Sequence, residues 1–484
     1  MQLLDLITIF IFALGIVIMG LSFSGKGRNM KSFFAAGGAV PWAMSGLSLF
    51  MGFFSAGTFV VWGSIAYSLG WIAISIQWTM AIAGFVVGFF IAPRWHKTSA
   101  LTVAEYITRR LGVNTQKTYT YLFLFISLFT TGSFLYPVAK IVEVSTGMPL
   151  DLCILLLGGF CIVYVAAGGL WAVVSTDVLQ FIILTAAVLI VVPLSFGRVG
   201  GVVNFIESIP ATYFNLVNGE YTIGFIIAFG VYNAIFLGGN WAYVQRYASV
   251  NSQSSARKVG FLFGGLYVVS AVLWMLPPMI YRIVNPSLST IDAEGAYLMM
   301  CKEVLPAGLL GLMLSGMVFA TASSLNATLN ISSGVVTNDI FKRLFPQSSD
   351  KTLMRVARIS TIIFGLLAII VALLIPLMGG IVNVVISVAA LTGVPLYLPI
   401  IWTLFSKRQT EYSVITTTLV SLGANAFFKF ITPLWGFGFN RAEEMIVGVA
   451  FPVFCLIAFE LYYKLNHKIS HRYVEYQEWE KENN

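Results

Sequence analysis

Long apolar segments separated by short polar loops are the feature that most constrains how this chain can fold. Thirteen stretches are long and apolar enough to cross about 30 Å of hydrocarbon: about 4–23, 42–67, 71–94, 117–147, 150–167, 171–196, 222–247, 256–286, 306–337, 352–378, 380–406, 411–431 and 443–465. Only 10% of the 484 residues are charged, whereas soluble proteins carry about 25%. The sequence therefore predicts an all-α polytopic membrane protein and excludes a soluble enzyme, a secreted disulfide scaffold and a DNA-binding protein.

Lysine and arginine are unevenly distributed between the two sides of the predicted membrane. If Met1 lies outside, the inside loops and tail hold 22 of these residues and the outside loops hold four. Basic residues concentrate in cytoplasmic loops. We therefore expect thirteen spans, numbered in chain order, in the plasma (inner) membrane, with the N-terminus outside and the C-terminus cytoplasmic. No Lys or Arg precedes the first span, which is interpreted as a retained helix rather than a signal peptide.

Two polar features lie inside predicted spans. Asp177 is early in span 6, and a charge inside a membrane costs at least ~2.5 kcal/mol, so it has either a functional role or a partner such as a loop base. In span 9, Ala320, Ser323, Ser324 and Ala327 lie on one helix face at i, i+3, i+4 and i+7. Such a stripe serves close helix packing, or its hydroxyl oxygens bind a hard cation such as Na⁺. Both readings stay open.

Glycines and small residues weaken two predicted spans at mid-membrane. They fall within 48–58 of span 2 and within 233–240 of span 7, five spans apart. Interrupted helices at corresponding positions of two halves are typical of inverted-repeat transporters, which bind their cargo near the bilayer midplane. Spans 2–6 and 7–11 would then be the two repeats. Glycine used only for tight helix packing is the alternative for each span.

The chain resembles the sodium/solute symporter family over about residues 30–410. The motifs that carry the resemblance are FFAAGG at 33–38 before PW at 41–42, LTVAEY at 101–106, GGLWAV at 168–173 leading to TD at 176–177, QR at 245–246, SS at 323–324 and NDI at 338–340. The resemblance implies a leucine-transporter-type five-plus-five inverted repeat with one extra N-terminal and two extra C-terminal helices. The expected divisions are 1–41 (extra helix and cytoplasmic loop), 42–196 (first repeat), 197–221 (external loop), 222–406 (second repeat), 407–465 (C-terminal helices) and 466–484 (cytoplasmic tail).

The resemblance also implies a main Na⁺ site between spans 2 and 9. Its ligands would be two backbone carbonyls of span 2 and three positions of span 9, namely Met51, Phe54, Ala320, Ser323 and Ser324. Some family members bind a second Na⁺ through an aspartate that matches Asp177 and two further serines of span 9. Those serine positions are Asn326 and Ala327 here, so one oxygen ligand is kept and one is lost.

A solute site between the two interruptions is implied as well. Asn233 matches a sugar-contacting asparagine of the family's sodium/galactose symporters. Ser55, Thr58 and Gln77 are shared with its sodium/sialic-acid symporters, whose carboxylate-binding arginine is replaced here by Thr130. The expected pocket contains hydroxyl, amide and aromatic side chains without a charge: Ser55, Thr58, Gln77, Asn233, Phe236, Asn240 and Tyr267. Such a pocket suits a small neutral polyhydroxylated solute, with a sugar favoured.

These features predict a secondary active transporter that couples Na⁺ entry to the uptake of a small neutral polar solute by alternating access. Alternatives are Na⁺- or H⁺-coupled symport of an amino acid or carboxylate, since Asp177 can titrate, and a transporter-like solute sensor that signals through a partner. Na⁺ is the expected coupling ion, and no catalytic residue, organic cofactor or nucleic-acid partner is expected. The expected partners are the solute and the lipid bilayer, and a monomer is expected to suffice for transport.

Three smaller predictions concern polar segments. Lys140 and Glu143, three residues apart near one end of span 4, should form a local ion pair. The segments 101–111 and 291–304 are amphipathic and should lie at the membrane interface. The tail after Leu465 is about 20 residues long, which is too short for an intrinsic signalling domain.

Overall fold

The computed structural model describes residues 2–24, 40–100, 102–164 and 170–483, and these residues are almost entirely helical. In chain order the helices are α1 (Leu3–Ser24), α2 (Trp42–Met51), α3 (Thr58–Leu69), α4 (Trp71–Lys97), α5 (Val103–Leu111), α6 (Val113–Thr146), α7 (Leu150–Tyr164), α8 (Leu170–Arg198), α9 (Ile223–Gly239), α10 (Trp241–Ala248), α11 (Gln253–Val284), α12 (Ala296–Val304), α13 (Leu309–Val335), α14 (Asp350–Leu374), α15 (Ile381–Thr403), α16 (Glu411–Trp435), α17 (Arg441–Leu465) and α18 (His471–Asn483). No β-strand occurs within the described ranges.

Eight helices of the described chain are long and apolar enough to cross a membrane, and the bent pair α9–α10 makes a ninth candidate. Shorter apolar helices, α2 and α3 among them, accompany these spans. The all-α polytopic class that composition predicts is therefore confirmed. The count of thirteen spans and the two inverted repeats stay predictions.

Helices α4 and α11 pack with their backbones in contact. A Cβ atom added to Gly84 would lie 2.7 Å from the backbone nitrogen of Gly264, and one added to Gly260 would lie 2.6 Å from the Cα of Gly88. Small residues allow such close approach where lipid provides no hydrophobic drive for helix association. Any larger side chain at these four positions would force the two helices apart.

The two ends of the helical bundle are covered by different short elements. The turn Asp292–Gly295 and α12 cover one end, called here the loop face. Helices α5 and α18 lie at the opposite end, called here the tail face. Helix α15 runs from one face to the other: the backbone N–H of Ile381 at its start bonds to the Glu294 carboxylate, and Thr403 at its end bonds to the Tyr106 hydroxyl.

The segments predicted to be interfacial pack largely against protein. Glu294 and most residues of 293–301 are buried, so the loop segment is part of the bundle rather than a lipid-facing helix. Leu101 lies outside the described residues, and the rest of its segment forms α5, in which Arg110 is 1% exposed. The predicted ion pair is confirmed, with the Lys140 ammonium 2.9 Å from the Glu143 carboxylate.

The polar tail folds as α18 and lies against α5. The rings of Tyr106 and Tyr476 are 5.9 Å apart between centroids. The Arg109 guanidinium lies over the Trp479 ring at 3.8 Å. The tail is therefore an ordered part of the tail face.

Candidate functional site

The second predicted span is interrupted between α2 and α3. Helix α2 ends at Met51, and the next four residues have no regular helical structure. The carbonyl of Phe50 accepts the N–H groups of both Phe53 and Phe54, each at 3.0 Å, while the Thr58 hydroxyl donates to the carbonyl of Phe53. No hydrogen bond between described residues is accepted by the carbonyl oxygens of Met51 or Phe54. Two oxygens in a buried stretch are thus left for another partner.

Helix α13 meets this interruption through Thr321. The backbone N–H of Ala56 donates to Thr321 Oγ1 at 2.9 Å, and the hydroxyl itself donates to the carbonyl of Met317 at 2.8 Å. The sequence does not mark Thr321 as a site residue. It is distinguished only by its place in a hydroxyl-rich run of an otherwise apolar helix.

The positions predicted for the main Na⁺ site lie on both sides of this contact. Met51, Phe54 and Ala320 are buried, and Ser324 is half-buried with its Oγ 3.5 Å from the carbonyl of Ala320. The side chains of Ser323 and Asn326 lie outside the described part of the structure. The described residues hold no group of three His, Cys, Asp or Glu that could bind a metal.

Asp177 is buried beside two polar residues of other helices. The Ser48 hydroxyl donates to Asp177 Oδ2 at 2.6 Å, and Arg246 Nε donates to the same hydroxyl at 3.3 Å. The carboxylate and guanidinium thus share one serine, which matches the interpretation of Asp177 as a partnered charge. A second Na⁺ site at Asp177 and Asn326 stays a prediction.

The seventh predicted span is interrupted at Asn240. Helices α9 and α10 meet there at an angle of 60°, because Asn240 has extended backbone angles and caps α10 by accepting the N–H of Ala242 at 3.0 Å. Its Nδ2 donates to the hydroxyl of Tyr397 on α15 at 3.3 Å. Asn240 therefore holds the break and ties it to a neighbouring helix.

Phe53 joins the two interruptions in an aromatic group that we call the tail-side cluster: Phe53, Phe236, Tyr243, Phe263 and Tyr267. The ring centroid of Phe53 lies 6.5 Å from that of Phe236, 5.0 Å from that of Tyr243 and 6.2 Å from that of Tyr267. Phe236 and Tyr267 were predicted to line the solute site. Phe53 was not, because its contacts depend on a neighbouring helix that the sequence does not reveal.

Phe54 points into a second aromatic group, the loop-side cluster: Phe54, Phe59, Trp274 and Tyr297. Phe54 stacks on Trp274 at 4.7 Å between centroids, and Phe59 lies 4.3 Å from Tyr297. A narrow crevice with a volume of about 10 Å³ borders Phe59 and Tyr297 and is also lined by Lys140. Adjacent residues of one interruption thus contact two aromatic groups, which meet where the Tyr267 and Trp274 rings lie 5.4 Å apart.

The polar side chains predicted to bind solute differ in how they are bonded. Asn233 Nδ2 donates to Thr79 Oγ1 at 2.8 Å. Gln77 is 3% exposed, and its Nε2 has no hydrogen-bond partner among the described residues. Ser55 and Thr58 are buried, with the Thr58 hydroxyl used inside the interruption. Gln77 therefore has a buried donor that no described residue uses.

Residues 33–420 match the model of the Sodium:solute symporter family. The chain belongs to this family. A sodium/glucose cotransporter of Vibrio parahaemolyticus is 28% identical over 472 residues, covering 88% of this chain and 86% of that protein. Sodium/glucose cotransporter 1 of Mus musculus is 25% identical, covering 94% of this chain and 76% of that protein. The family consists of transporters, so this symporter is not an enzyme, and Na⁺ is its coupling ion.

Two solved structures share the fold of this symporter. A Na⁺-coupled sialic acid symporter in a substrate-bound, outward-open state aligns with a TM-score of 0.78 at 21% identity, covering 95% of this chain and 98% of that chain. Mhp1, a nucleobase-cation-symport-1 family transporter in a closed conformation, aligns with a TM-score of 0.57 at 14% identity, covering 93% and 99%. At these identities the likeness concerns the fold alone.

Proposed function

We propose that this symporter couples the movement of Na⁺ to the uptake of a small, neutral, polar solute of the sugar class. The observation that carries the proposal is the meeting of the two helix interruptions at Phe53 and Phe236. Irregular backbone at membrane depth is tolerated only where protein or a cavity surrounds it. Two such stretches that face each other make a binding site at the centre of the bundle.

Sodium binding fits the contact between the first interruption and α13. Na⁺ is a hard cation that prefers oxygen ligands, and the carbonyls of Met51 and Phe54 accept no bond from the described residues. In the proposal these carbonyls join oxygens from Ala320, Ser323 and Ser324. The bound ion would strengthen the hold that Thr321 has on Ala56, and would so order the residues that face the solute.

A neutral solute fits the residues around the second interruption. The predicted solute positions carry no charge, and Gln77 Nε2 has a buried donor without a described partner. Aromatic faces and amide groups are suited to the apolar faces and hydroxyls of a sugar. The similar cotransporters of glucose and of myo-inositol are named for neutral polyols, which supports the same solute class here.

Transport would proceed by alternating access in a monomer. The tail face carries the basic loops and α18, so in the proposal it is cytoplasmic and the loop face is external. The tail-side and loop-side clusters would then close the inner and outer routes to the site. Each Na⁺ that enters adds about 2.3 kcal/mol per 100 mV of membrane potential to the driving force.

The test uses the purified symporter in proteoliposomes, with radiolabelled D-glucose and myo-inositol as probes and an imposed Na⁺ gradient. We expect uptake of at least one probe in Na⁺ and none in K⁺. Ser324→Ala should raise the Na⁺ concentration for half-maximal uptake by about tenfold, since losing one ligand of the ion costs about 1.4 kcal/mol. Thr328→Ala is the matched control, because Thr328 is one turn further along α13 and its hydroxyl donates only to the carbonyl of Ser324.

Thermal unfolding with a panel of sugars, amino acids and carboxylates gives a second readout. A ligand at about 100 times its dissociation constant stabilises the protein by ~2.7 kcal/mol. Stabilisation by a sugar only in Na⁺ supports both parts of the proposal. Stabilisation by an amino acid or carboxylate alone would contradict the solute class, and an equal response of Ser324→Ala and Thr328→Ala would contradict the Na⁺ site.

A further inference from the structure

Helix α15 contains a wide turn that is followed closely by a proline. Residues Ala389–Gly393 are π-helical, and Pro395 follows two residues later. Proline has no N–H, so it cannot bond to the carbonyl four or five residues before it. Those positions are Leu391 and Ala390, and the missing N–H deprives one of their carbonyls of its bond within the helix. In a membrane interior, unbonded carbonyls are costly and need a donor from elsewhere.

Asn425 of α16 supplies that donor. Its Nδ2 lies 3.1 Å from the carbonyl oxygen of Ala390 and 3.2 Å from that of Leu391. Because both partners are acceptors, the nitrogen side of the amide must face them. The Oδ1 atom has no hydrogen-bond partner among the described residues, and the side chain is 5% exposed. The bonds to α15 are thus the described contacts that compensate for burying this amide.

Helix α17 packs against the same wide turn. A Cβ added to Gly448 would lie 2.3 Å from the carbonyl oxygen of Ala390, so α17 touches the backbone of α15 at the carbonyl that Asn425 bonds. Helices α16 and α17 lie within 407–465, outside the two predicted repeats. The C-terminal pair therefore contacts α15 at the point where its own hydrogen bonding fails.

The wide turn lies beside the second interruption. A Cβ on Gly393 would lie 2.1 Å from the ring of Tyr232 on α9, and one on Gly239 would lie 2.7 Å from the Cβ of Tyr397. The Tyr397 hydroxyl accepts the Asn240 amide at 3.3 Å, and its ring lies 5.9 Å from that of Phe236. The geometry of the wide turn therefore sets where Tyr397 meets the break.

We propose that Asn425 is a positioning residue for the solute site: by bonding the carbonyls of Ala390 and Leu391, where Pro395 removes an N–H donor, it fixes the wide turn of α15 and thereby the contact of Tyr397 with Asn240. Asn425 does not touch the solute. The proposal rests on the proposed function only in so far as Asn240 and Phe236 belong to the solute site. The coupling between Asn425 and Asn240 itself can be measured without a solute.

The first experiment compares Asn425→Leu, Asn425→Gln and the matched control Ser421→Ala in the full-length symporter in proteoliposomes. Ser421 is one turn earlier on α16 and fully buried, and none of its described hydrogen bonds reaches α15. With D-glucose or myo-inositol as probe, we expect Asn425→Leu to raise the half-saturating concentration about tenfold with a smaller change in maximal rate. Asn425→Gln, which keeps the donor, should restore most of the affinity. Equal half-saturation in Asn425→Leu and Ser421→Ala would overturn the proposal.

Hydrogen exchange provides the readout that needs no solute. In Asn425→Leu we expect the amides of Asn240 and Ala242 to exchange about tenfold faster, and in Ser421→Ala we expect no change. Unchanged exchange at these amides in Asn425→Leu would overturn the coupling whatever the uptake result. If the wild-type protein transports no probe in Na⁺ but the exchange still changes, the solute assignment fails and the coupling stands. In a Tyr397→Phe background, Asn425→Leu should barely change the exchange rate of the Asn240 amide, because the hydrogen bond between Asn240 and Tyr397 is already absent.

Discussion

The two ends of helix α15 are both held by a buried charged side chain, but with different amounts of support. At the loop face, the Glu294 carboxylate accepts the Ile381 N–H at 2.9 Å and the Tyr136 hydroxyl at 2.7 Å. At the tail face, the Arg110 guanidinium donates to the carbonyls of Ser406 at 3.1 Å and Gln409 at 3.4 Å. An anion at a helix start and a cation beyond a helix end both complement the helix dipole.

The difference between the ends is in what surrounds these charges. The Arg110 guanidinium also lies within reach of the Ser470 hydroxyl and over the Tyr473 ring of the tail, and nearby Glu460 accepts hydrogen bonds from Ser406 and Gln409. At the loop face, one carboxylate provides the charged contact with the start of α15. Several tail-face contacts are therefore centred on Arg110, whereas at the loop face one carboxylate makes the charged contact with α15 among the described residues.

The largest expected effect is at Arg110. Arg110→Met keeps most of the apolar stem but removes the donors to two buried carbonyls, so we expect the free energy of unfolding to fall by about 3 kcal/mol. Thermal unfolding in detergent measures it. Arg109→Met is the control, since Arg109 is partly exposed, pairs with Glu105 one turn away and lies over the Trp479 ring, and losing both contacts should cost about 1.5 kcal/mol. Equal losses in the two variants would show that the tail-face contacts are not centred on Arg110.

The intermediate effect is at Glu294. In Glu294→Gln one carboxylate oxygen becomes a donor, so either Ile381 or Tyr136 loses its acceptor at a cost of about 2 kcal/mol. Unfolding should be compared with that of Asp292→Asn, an exposed acid of the same turn. A loss as small as that of the control would show that the loop end of α15 is held by other contacts.

The pH dependence of the stability loss in Glu294→Gln tests the direction of the pKa shift of the Glu294 carboxyl. Burial raises the pKa of the Glu294 carboxyl above 4.5; hydrogen bonds from Tyr136 and Ile381 and the nearby Lys140 oppose this shift, and Glu143 adds to it. A carboxyl with a raised pKa in the folded state stabilises that state as pH falls through this pKa toward 4.5. The stability gap between wild type and Glu294→Gln should therefore widen as pH falls in that window. A gap that narrows would contradict the burial of this carboxylate.

The smallest effect is expected at Trp479. Trp479→Leu removes the ring beneath the Arg109 guanidinium, which should cost about 1 kcal/mol. Hydrogen exchange of α5 and α18 should increase, while that of α12 at the loop face should not. An increase at both faces would mean that the two ends of the bundle are not independent.

Much of the architecture could be predicted because it follows from local composition. Apolar length predicts the membrane class, and the glycines near Gly52 and Gly239 predict interruptions at places where the helices do break. The partners of these breaks could not be predicted. Thr321 and Phe53 owe their roles to contacts between segments distant in the chain, and neither carries a local pattern that separates it from ordinary packing residues. Arg110 and Glu294 look like loop charges, and only the fold buries them.

The glycine contact between α4 and α11 has a mechanical consequence. The close backbone contact, flanked by the rings of Phe261 and Phe263, leaves the two helices little room to shift against each other, so they should move as one rigid unit. Helix α4 carries Gln77, and its Trp95 indole donates to the carbonyl of Gly238 at 2.6 Å; α11 carries Tyr267. When this pair of helices rotates, all of the residues attached to it move together. The proposed contacts of Gln77 and Tyr267 with the solute would therefore form and separate together, and the last turn of α9 would move with them.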